Sequence, residues 1–256
     1  TTSWTIRKIL VGVMMSGVVS MIIVASMYFT DYEPSLHSGI FSLLGVVLSI
    51  LLVFRTNTAY DRWWEGRRLW GTLVNNTRQL AIMLEASLPK EDRESRHFFA
   101  RHISNFGIAL KEHLRAGVKL EELELTEDEL QEMKSKQHKP NHIAYVVFAK
   151  MQTIYRAGVF TDADIINFKQ QHQVLTDVMG ACERIKKTPI PFSYAVYIKV
   201  FISIYGLMLP FGLYEDFKFY AIPLTMFVFF TMVGLELMAQ EIEDPFGLDC
   251  NDLSTG

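Results

Sequence analysis

The stretch "VVLSILLVFRTNTAYDRWWEGRRLWG", from Val46 to Gly71, decides the fold. Its first nine residues contain one polar side chain, Ser49, whereas its last seventeen contain four arginines. No proline interrupts the stretch, and its first glycine is Gly66. A helix that ends at a membrane surface usually shows a cap or a turn within a few residues. Because neither signal follows Phe54, the sequence predicts one continuous helix that begins in a membrane and continues into water.

Other parts of the chain are also apolar enough to cross a membrane. The run from Ile9 to Phe29 has 21 residues without a charge. The apolar core of a signal peptide has about 7–15 residues and a spanning helix about 20, so the sequence predicts a transmembrane helix here. The same reasoning predicts four spans arranged as two close pairs: Ile9–Phe29, Leu36–Phe54, Phe192–Tyr214 and Phe219–Leu235.

The basic residues beside these spans predict the orientation. Positive charge collects on the cytoplasmic side of membrane proteins. One side holds Arg7, Lys8, Arg55, Arg62, Arg67, Arg68, Lys186 and Lys187. The short connections on the other side hold only Lys218. We therefore expect both termini and the long middle segment to be cytoplasmic.

The middle segment shows helical periodicity and no strand pattern. Leu69, Leu73, Leu80 and Leu84 follow a spacing close to 3.6 residues, and three later segments repeat it, the last with Asp162 as the expected N-cap. The predicted fold class is therefore all-α, with four transmembrane helices and a cytosolic helical domain. The predicted divisions are 1–55 for the first two spans, 56–190 for the cytosolic domain, 191–236 for the last two spans and 237–256 for a cytosolic C-terminal segment.

Several function classes lack support in the sequence. The net charge of -3 argues against nucleic-acid binding, which usually needs a basic surface. We find no phosphate-binding loop, hydrolase or metalloprotease motif, so no enzyme activity is expected. Cys182 and Cys250 are predicted to be buried or incidental thiols. Pro140 lies between His138 and His142 and argues against a shared helical zinc site.

Two charged residues lie close to predicted spans. Lys199 lies about two turns from the cytosolic end of the third span, and Glu236 lies at the exit of the fourth. An ionisable group inside a membrane is a functional candidate by default. For both residues we favour structural roles, because each is near enough to a membrane surface to reach water or a partner.

Val46, Ile50 and Phe54 form an apolar stripe on the predicted continuous helix. Their i, i+4, i+8 spacing places them on one face. Such a stripe can face lipid or a protein core. Alternatively, several copies of the helix can arrange the stripe as a narrow apolar constriction, and such constrictions gate ion flow by dewetting.

Three segments of the chain carry a family resemblance. "FRTNTAYDRWWEGRRLWG" resembles the segment that follows the second transmembrane helix in bacterial bestrophin homologues. "CERIKKTPIPFSY", Cys182–Tyr194, resembles the element that enters the third transmembrane helix. "EIEDPFGLDCNDL", Glu241–Leu253, resembles an acidic segment of animal bestrophins. The three segments occur in the family's order and cover nearly the whole chain.

The resemblance implies an ion channel of five identical subunits around one pore. It places a hydrophobic neck, acting as a gate, at Val46, Ile50 and Phe54. It also implies a second, cytosolic restriction at Ile166, or at Ile165 if the register slips by one residue. Taken alone, Ile166 reads as an ordinary core residue of a helix.

The chain departs from the family at its C-terminal acidic segment. Animal bestrophins bind calcium there, and the corresponding oxygens here belong to Asp249, Asn251 and Asp252. Leu248 and Cys250 interrupt this set, and calcium needs about 6–8 oxygen ligands. We therefore treat it as a weak remnant of a calcium site and expect no required cofactor.

Charges in the short outer loops bear on ion selectivity. Asp31, Glu33, Glu215 and Asp216 outnumber Lys218 there and would concentrate cations at the outer mouth. The resemblance to bacterial homologues also implies monovalent cations, whereas animal bestrophins pass anions. We expect a cation-preferring channel.

Two alternatives stay open: an anion (chloride) channel of the same architecture and a membrane-anchored signalling or scaffold protein. The expected partners are further copies of the chain, permeant ions and membrane lipid. The expected location is the bacterial inner membrane.

Overall fold

The protein is built from helices. The computed structural model describes residues 2–30, 38–248 and 252–253, and these residues form no strand. The α-helices are α1 (Thr2–Thr30), α2 (Ser38–Ser87), α3 (Arg93–Leu114), α4 (Glu127–Ser135), α5 (Lys139–Arg156), α6 (Asp162–Lys187), α7 (Phe192–Phe217) and α8 (Ala221–Ile242), with 3-10 turns at Leu120–Glu122 and Lys218–Tyr220. The predicted all-α class is confirmed.

Helix α2 contains the stretch from Val46 to Gly71 without a break. It has 50 residues, and neither Phe54 nor Arg55 marks a helix end. At 1.5 Å per residue its length is about 75 Å, whereas the hydrocarbon core of a bilayer is about 30 Å thick. The predicted continuity from apolar to charged sequence is confirmed.

Three helical stretches of the described residues are long and apolar enough to cross a membrane. They are Ile6–Thr30, Gly39–Ser87 and Phe192–Ile242. The last stretch contains both α7 and α8, which a 3-10 turn joins, and there we predicted two separate spans. Four crossings of the membrane stay a prediction.

The chain divides into two compact units. The first consists mainly of Thr1–Trp63 and Pro189–Asp244. Within it α1 packs against α7 and α8, and α7 packs against α8. The first part of α2 contributes to a core with α7, in which Leu48 and Ile198 are fully buried. The assignment of the two units to membrane and cytosol stays a prediction.

The second unit consists mainly of Trp64–Thr188. Within it α3, α5 and α6 pack against one another. Helix α6 begins with a capping box in which Thr161 Oγ1 accepts the N–H of Asp164 and the Asp164 side chain accepts the N–H of Thr161. The predicted N-cap, Asp162, is therefore wrong by one residue, because Thr161 offers the oxygen that closes this reciprocal pair.

Candidate pore-lining site

The predicted neck residues lie together on the outer face of α2. Val46, Ile50 and Phe54 are 57%, 51% and 62% exposed in the single chain. They follow one another at intervals of one helical turn within α2. None of them belongs to the buried core of its own chain, so this apolar stripe is available to a neighbouring copy, to lipid or to a pore.

The opposite face of α2 is held inside the first unit. Leu48 and Leu52 are almost completely buried and pack in one cluster with Ile198, Ile202 and Tyr205 of α7. Because these leucines project away from the stripe, burying them fixes the direction in which the stripe points. Core packing within one chain thus presents the apolar stripe outward.

Close contacts with α7 define the register of α2. A Cβ added at Gly45 would lie 2.7 Å from Tyr205 Oη, so the absence of a side chain permits this approach. Tyr205 Oη donates a hydrogen bond to the backbone oxygen of Phe41 at 3.2 Å. Tyr194 Oη donates another to the backbone oxygen of Leu51 at 3.3 Å. These contacts resist rotation or sliding of α2 at the level of the stripe.

A cluster of charges, buried except for Lys199, lies directly after the stripe. Arg55 is 1% exposed, and its Nη2 lies 2.6 Å from Glu243 Oε2. Its Nε lies 3.5 Å from Glu236 Oε2. Lys199 Nζ lies 3.9 Å from the other oxygen of Glu236 and donates a hydrogen bond to Gln240 Oε1 at 3.1 Å. Two cations and two carboxylates therefore share this site, and a buried charge needs such pairing.

Sequence reasoning identified only part of this cluster. Lys199 and Glu236 were both singled out, but Arg55 was counted only as a basic residue near a membrane surface. A usable signal was present, because Arg55 lies three residues after Leu52 and therefore on the same buried face of α2. A charged residue on a core-facing stripe indicates a buried partner.

The predicted cytosolic restriction is exposed in the single chain. Ile166 lies near the start of α6 and is 58% exposed, while Ile165 is half-buried. The expectation that Ile166 is an ordinary core residue is therefore wrong. An exposed isoleucine next to the helix start is compatible with a second apolar restriction, which stays a prediction.

The charged residues predicted for the outer mouth are only partly described. Glu215 and Asp216 lie near the end of α7 and are exposed. Asp31 and Glu33 lie outside the described residues, as do Asp249 and Asn251 of the calcium remnant. Of that remnant the structure places only Asp252, which is half-buried. Both the acidic mouth and the calcium remnant stay predictions.

Cys182 is unsuited to metal or disulfide chemistry. The residue is fully buried in α6. Burial, together with the nearby carboxylates of Glu65 and Glu183, raises the pKa of its thiol to about 12. Because the thiolate is the form that binds metals and forms disulfides, Cys182 behaves as a buried apolar residue. Cys250 lies outside the described residues.

Known proteins resemble this chain over most of its length. A voltage-dependent anion channel-forming protein of Nostoc sp. is 37% identical over 226 residues, which cover 86% of this chain and 73% of the relative. The voltage-dependent anion channel-forming protein YneE of Escherichia coli is 33% identical over 215 residues, which cover 83% of this chain and 70% of the relative.

Solved structures resemble the fold to a similar extent. The crystal structure of a bacterial bestrophin homologue from Klebsiella pneumoniae matches with a TM-score of 0.90 and 29% sequence identity, covering 96% of this chain and 93% of that chain. The model of the bacterial and fungal bestrophin proteins matches residues 1–255. By this match and by the motifs quoted above, the chain belongs to the bacterial and fungal bestrophin family.

Proposed function

We propose that the chain is one subunit of a homo-oligomeric ion channel in which Val46, Ile50 and Phe54 ring a narrow apolar neck. One observation carries the proposal: the three side chains are exposed in a helix whose opposite face is buried in its own chain. Copies of α2 arranged around an axis would bring the stripes together. An apolar ring of this kind controls ion passage by expelling water when it is narrow.

The family and the channel-forming relatives indicate a channel rather than an enzyme. The number of subunits is part of the proposal, and the family resemblance supports five. In a closed ring every subunit contributes the same helix to the axis, so one exposed stripe per chain supplies the whole neck. Ile166, with Ile165 as its neighbour, is proposed to form the second restriction because it is apolar and exposed.

The topology follows from the basic residues near the spans. We place both termini and the second unit in the cytoplasm of a bacterial cell and the chain in the inner membrane. Clustering of positive charge on one side supports this orientation. Attachment of a membrane-impermeant reagent to single cysteines tests it. A cysteine next to Arg7 should react only in opened cells, and one replacing Glu215 should react in intact spheroplasts.

Ion selectivity has two candidates, each with its own support. Exposed Glu215 and Asp216 favour cations, because acidic side chains raise the local cation concentration at a pore mouth. The names of the Nostoc and Escherichia coli relatives favour anions instead. This conflicts with the cation preference expected from the sequence. The apolar neck makes no charge selection itself, so both candidates use the same pore.

Reversal potentials in a salt gradient separate these two candidates. The purified protein is recorded in a bilayer with unequal KCl on the two sides. The reversal potential should lie near the equilibrium potential of potassium for a cation channel and near that of chloride for an anion channel. Replacing Glu215→Gln and Asp216→Asn together should shift the reversal potential toward chloride if these carboxylates select cations. An unchanged reversal potential would show that these two carboxylates do not determine ion selectivity.

Calcium is proposed to be dispensable for opening. The acidic segment contains Leu248 and Cys250 among its oxygen donors, and calcium needs about 6–8 oxygens. Recordings with calcium added and with a chelator should therefore give the same open probability. A current that disappears in the chelator would show that the remnant is a working site.

The neck is tested by enlarging it. Ile50→Ala removes three carbons per subunit from the apolar ring and should raise ion flux from liposomes that contain the purified protein. Ile22→Ala is the matched control, since Ile22 is an equally apolar and exposed side chain on α1. Equal flux in both variants and the wild type would show that Ile50 does not line the ion path.

A further inference from the structure

Two histidines and a carboxylate meet in the second unit, at a place with no part in the proposed pore. His113 lies in the last turn of α3, His138 is the N-cap of α5, and Glu183 lies in α6. One nitrogen or oxygen from each of the three side chains lies within 4.8 Å of the other two. The three residues come from distant parts of the chain and converge only because α3, α5 and α6 pack together.

The geometry of this cluster is centred on one carboxylate oxygen. Glu183 Oε1 lies 3.1 Å from His113 Nε2 and 2.6 Å from His138 Nε2. The two imidazole rings lie side by side, with centroids 4.6 Å apart. All three side chains are only partly buried, so the cluster lies near the protein surface and not in the core.

We propose that His113, His138 and Glu183 bind a zinc-like transition-metal dication that joins α3, α5 and α6. Two imidazole nitrogens and a carboxylate oxygen form a ligand set that zinc accepts at about 2.0–2.2 Å, with water completing a tetrahedron. Ligand atoms in such a tetrahedron are about 3.4 Å apart, so small side-chain movements suffice. Calcium and magnesium prefer oxygen ligands and do not suit this pair of imidazoles.

Binding moves one proton within each of the two histidine rings, and His138 shows the cost of this step. Its Nδ1 accepts the backbone N–H of Asn141 at 3.2 Å, so in the neutral ring the proton lies on Nε2 and is donated to Glu183. A metal on Nε2 requires this proton to move to Nδ1, which then no longer accepts the N–H of Asn141. The proton on His113 Nε2, which lies 3.1 Å from Glu183 Oε1, must move to Nδ1 in the same way. Each neutral ring keeps its proton, so neither shift releases one. One helix-cap hydrogen bond is exchanged for a metal bond, which makes the site weaker than a closed structural zinc site.

A neighbouring lysine also weakens the site. Lys187 Nζ lies 3.0 Å from Glu183 Oε2, the oxygen that faces away from the two histidines. Its positive charge repels a dication at the site. The side chain of Lys187 is otherwise exposed, so its ammonium group can be removed without disturbing the packing of α6. Lys187→Gln should therefore bind the metal more tightly than the wild type.

The test uses the purified full chain and metal ions alone. Zn²⁺ binding is measured by calorimetry, and Co²⁺ binding by the visible absorption that reports nitrogen and oxygen ligands in a tetrahedron. The wild type should bind one ion per chain. Loss of outer partners alone weakens metal sites about 10–100-fold, so His113→Ala and Glu183→Gln should each weaken binding by about tenfold or more. Each variant is first checked for its thermal unfolding midpoint and its oligomeric size.

His97→Ala is the matched control. His97 also belongs to α3 and has one carboxylate nearby, with Nε2 3.9 Å from Glu124 Oε1, but among the described residues it joins no group of three possible metal ligands. Its loss should leave Zn²⁺ affinity unchanged.

If His113→Ala fails to fold, the other two variants test the proposal. Weaker Zn²⁺ binding by Glu183→Gln together with tighter binding by Lys187→Gln cannot arise from unfolding. Wild-type affinity in both of these variants, or no binding by the wild type, would overturn the proposal.

Discussion

Arg55 Nη2 lies 2.6 Å from Glu243 Oε2, which places a buried ion pair one residue after Phe54 on the same helix. Glu243 also accepts the backbone N–H of Ile190 at 2.8 Å through its other oxygen. One carboxylate thus connects α2 to the segment that enters α7. Phe54 and Arg55 are consecutive residues of α2. A shift of this ion pair would therefore also move Phe54, the last residue of the proposed neck.

Arg55→Met should strongly destabilise the protein. Removing one partner from a buried ion pair leaves its carboxylates without compensation and typically costs about 3–5 kcal/mol. The expected result is a markedly lower thermal unfolding midpoint of the purified protein in detergent. Arg184→Met is the control, because Arg184 pairs with Glu65 in an exposed position and such pairs contribute about 0–1 kcal/mol. Equal losses in the two variants would contradict the role given to Arg55.

Gly212→Ala should destabilise the packing between α2 and α7. A Cβ at Gly212 would collide with the ring of Phe41, which is buried in the same core. Overpacking of this kind costs about 1–3 kcal/mol. The unfolding midpoint of Gly212→Ala should fall, and a second change, Phe41→Leu, should recover part of the loss.

Gly234→Ala provides the matched control for this change. No atom within 4 Å would meet a Cβ at Gly234, although the residue also lies in an apolar helix of the first unit. Alanine there should leave stability unchanged or raise it by up to about 1 kcal/mol. A larger loss at Gly234 than at Gly212 would show that these packing contacts are misassigned.

The stability of the second unit should depend on Glu129 in acid. Burial opposes ionisation of Glu129, but Arg101 and the backbone N–H of Thr126, with His102 nearby, outweigh it and lower its pKa to about 2. A pKa below the usual 4.5 means that ionised Glu129 contributes stability above about pH 4.5 and loses it as the pH falls toward 2. Glu129→Gln should therefore lower the unfolding midpoint at pH 7 and flatten its fall between about pH 5 and about pH 2.

Glu127→Gln is the comparison for this titration. Glu127 lies in the first turn of the same helix, and its side chain is exposed to solvent. Because an exposed carboxylate in a first helical turn contributes no more than about 1 kcal/mol, this variant should stay close to the unfolding midpoint of the wild type. A pH profile that changes as much in Glu127→Gln as in Glu129→Gln would contradict the assignment.

Cys182 should not react with thiol reagents in the folded protein. The side chain is fully buried and its pKa is raised to about 12, so the reactive thiolate is scarce at pH 8. In a Cys250→Ser background, labelling by a maleimide should appear only after denaturation. Rapid labelling of the native protein would show that this part of α6 opens readily.

Local patterns predicted some of these features better than others. The continuous α2 and the shared face of Val46, Ile50 and Phe54 followed from residue spacing, because a helix repeats every 3.6 residues whatever surrounds it. Spacing does not show which distant helix faces meet. Arg55 and Glu243 are 188 residues apart in the chain, so no local pattern connects them.

The histidine cluster was missed for a related reason. Sequence reasoning compared His138 only with His142 and rejected the pair because of Pro140. The structure places Pro140 in the first turn of α5, where proline is tolerated, and His138 just before the helix as its cap. Its partners, His113 and Glu183, belong to other helices. The site is therefore formed by tertiary packing, and no single segment of the sequence predicts it.

The proposal that α2 lines the ion path is tested most directly with single cysteines placed along this helix. The measurement is the block of ion current when a charged thiol reagent attaches to each cysteine. The background is Cys250→Ser, with Cys182 buried and unreactive. Cysteine at Val46, Ile50 or Phe54 should allow the reagent to reduce the current, because each side chain is proposed to face the ion path. Cysteine at Ile22 on α1, an exposed apolar position outside the proposed neck, should leave the current unchanged. Unchanged current in all three α2 variants, with labelling of the cysteines verified, would contradict the account.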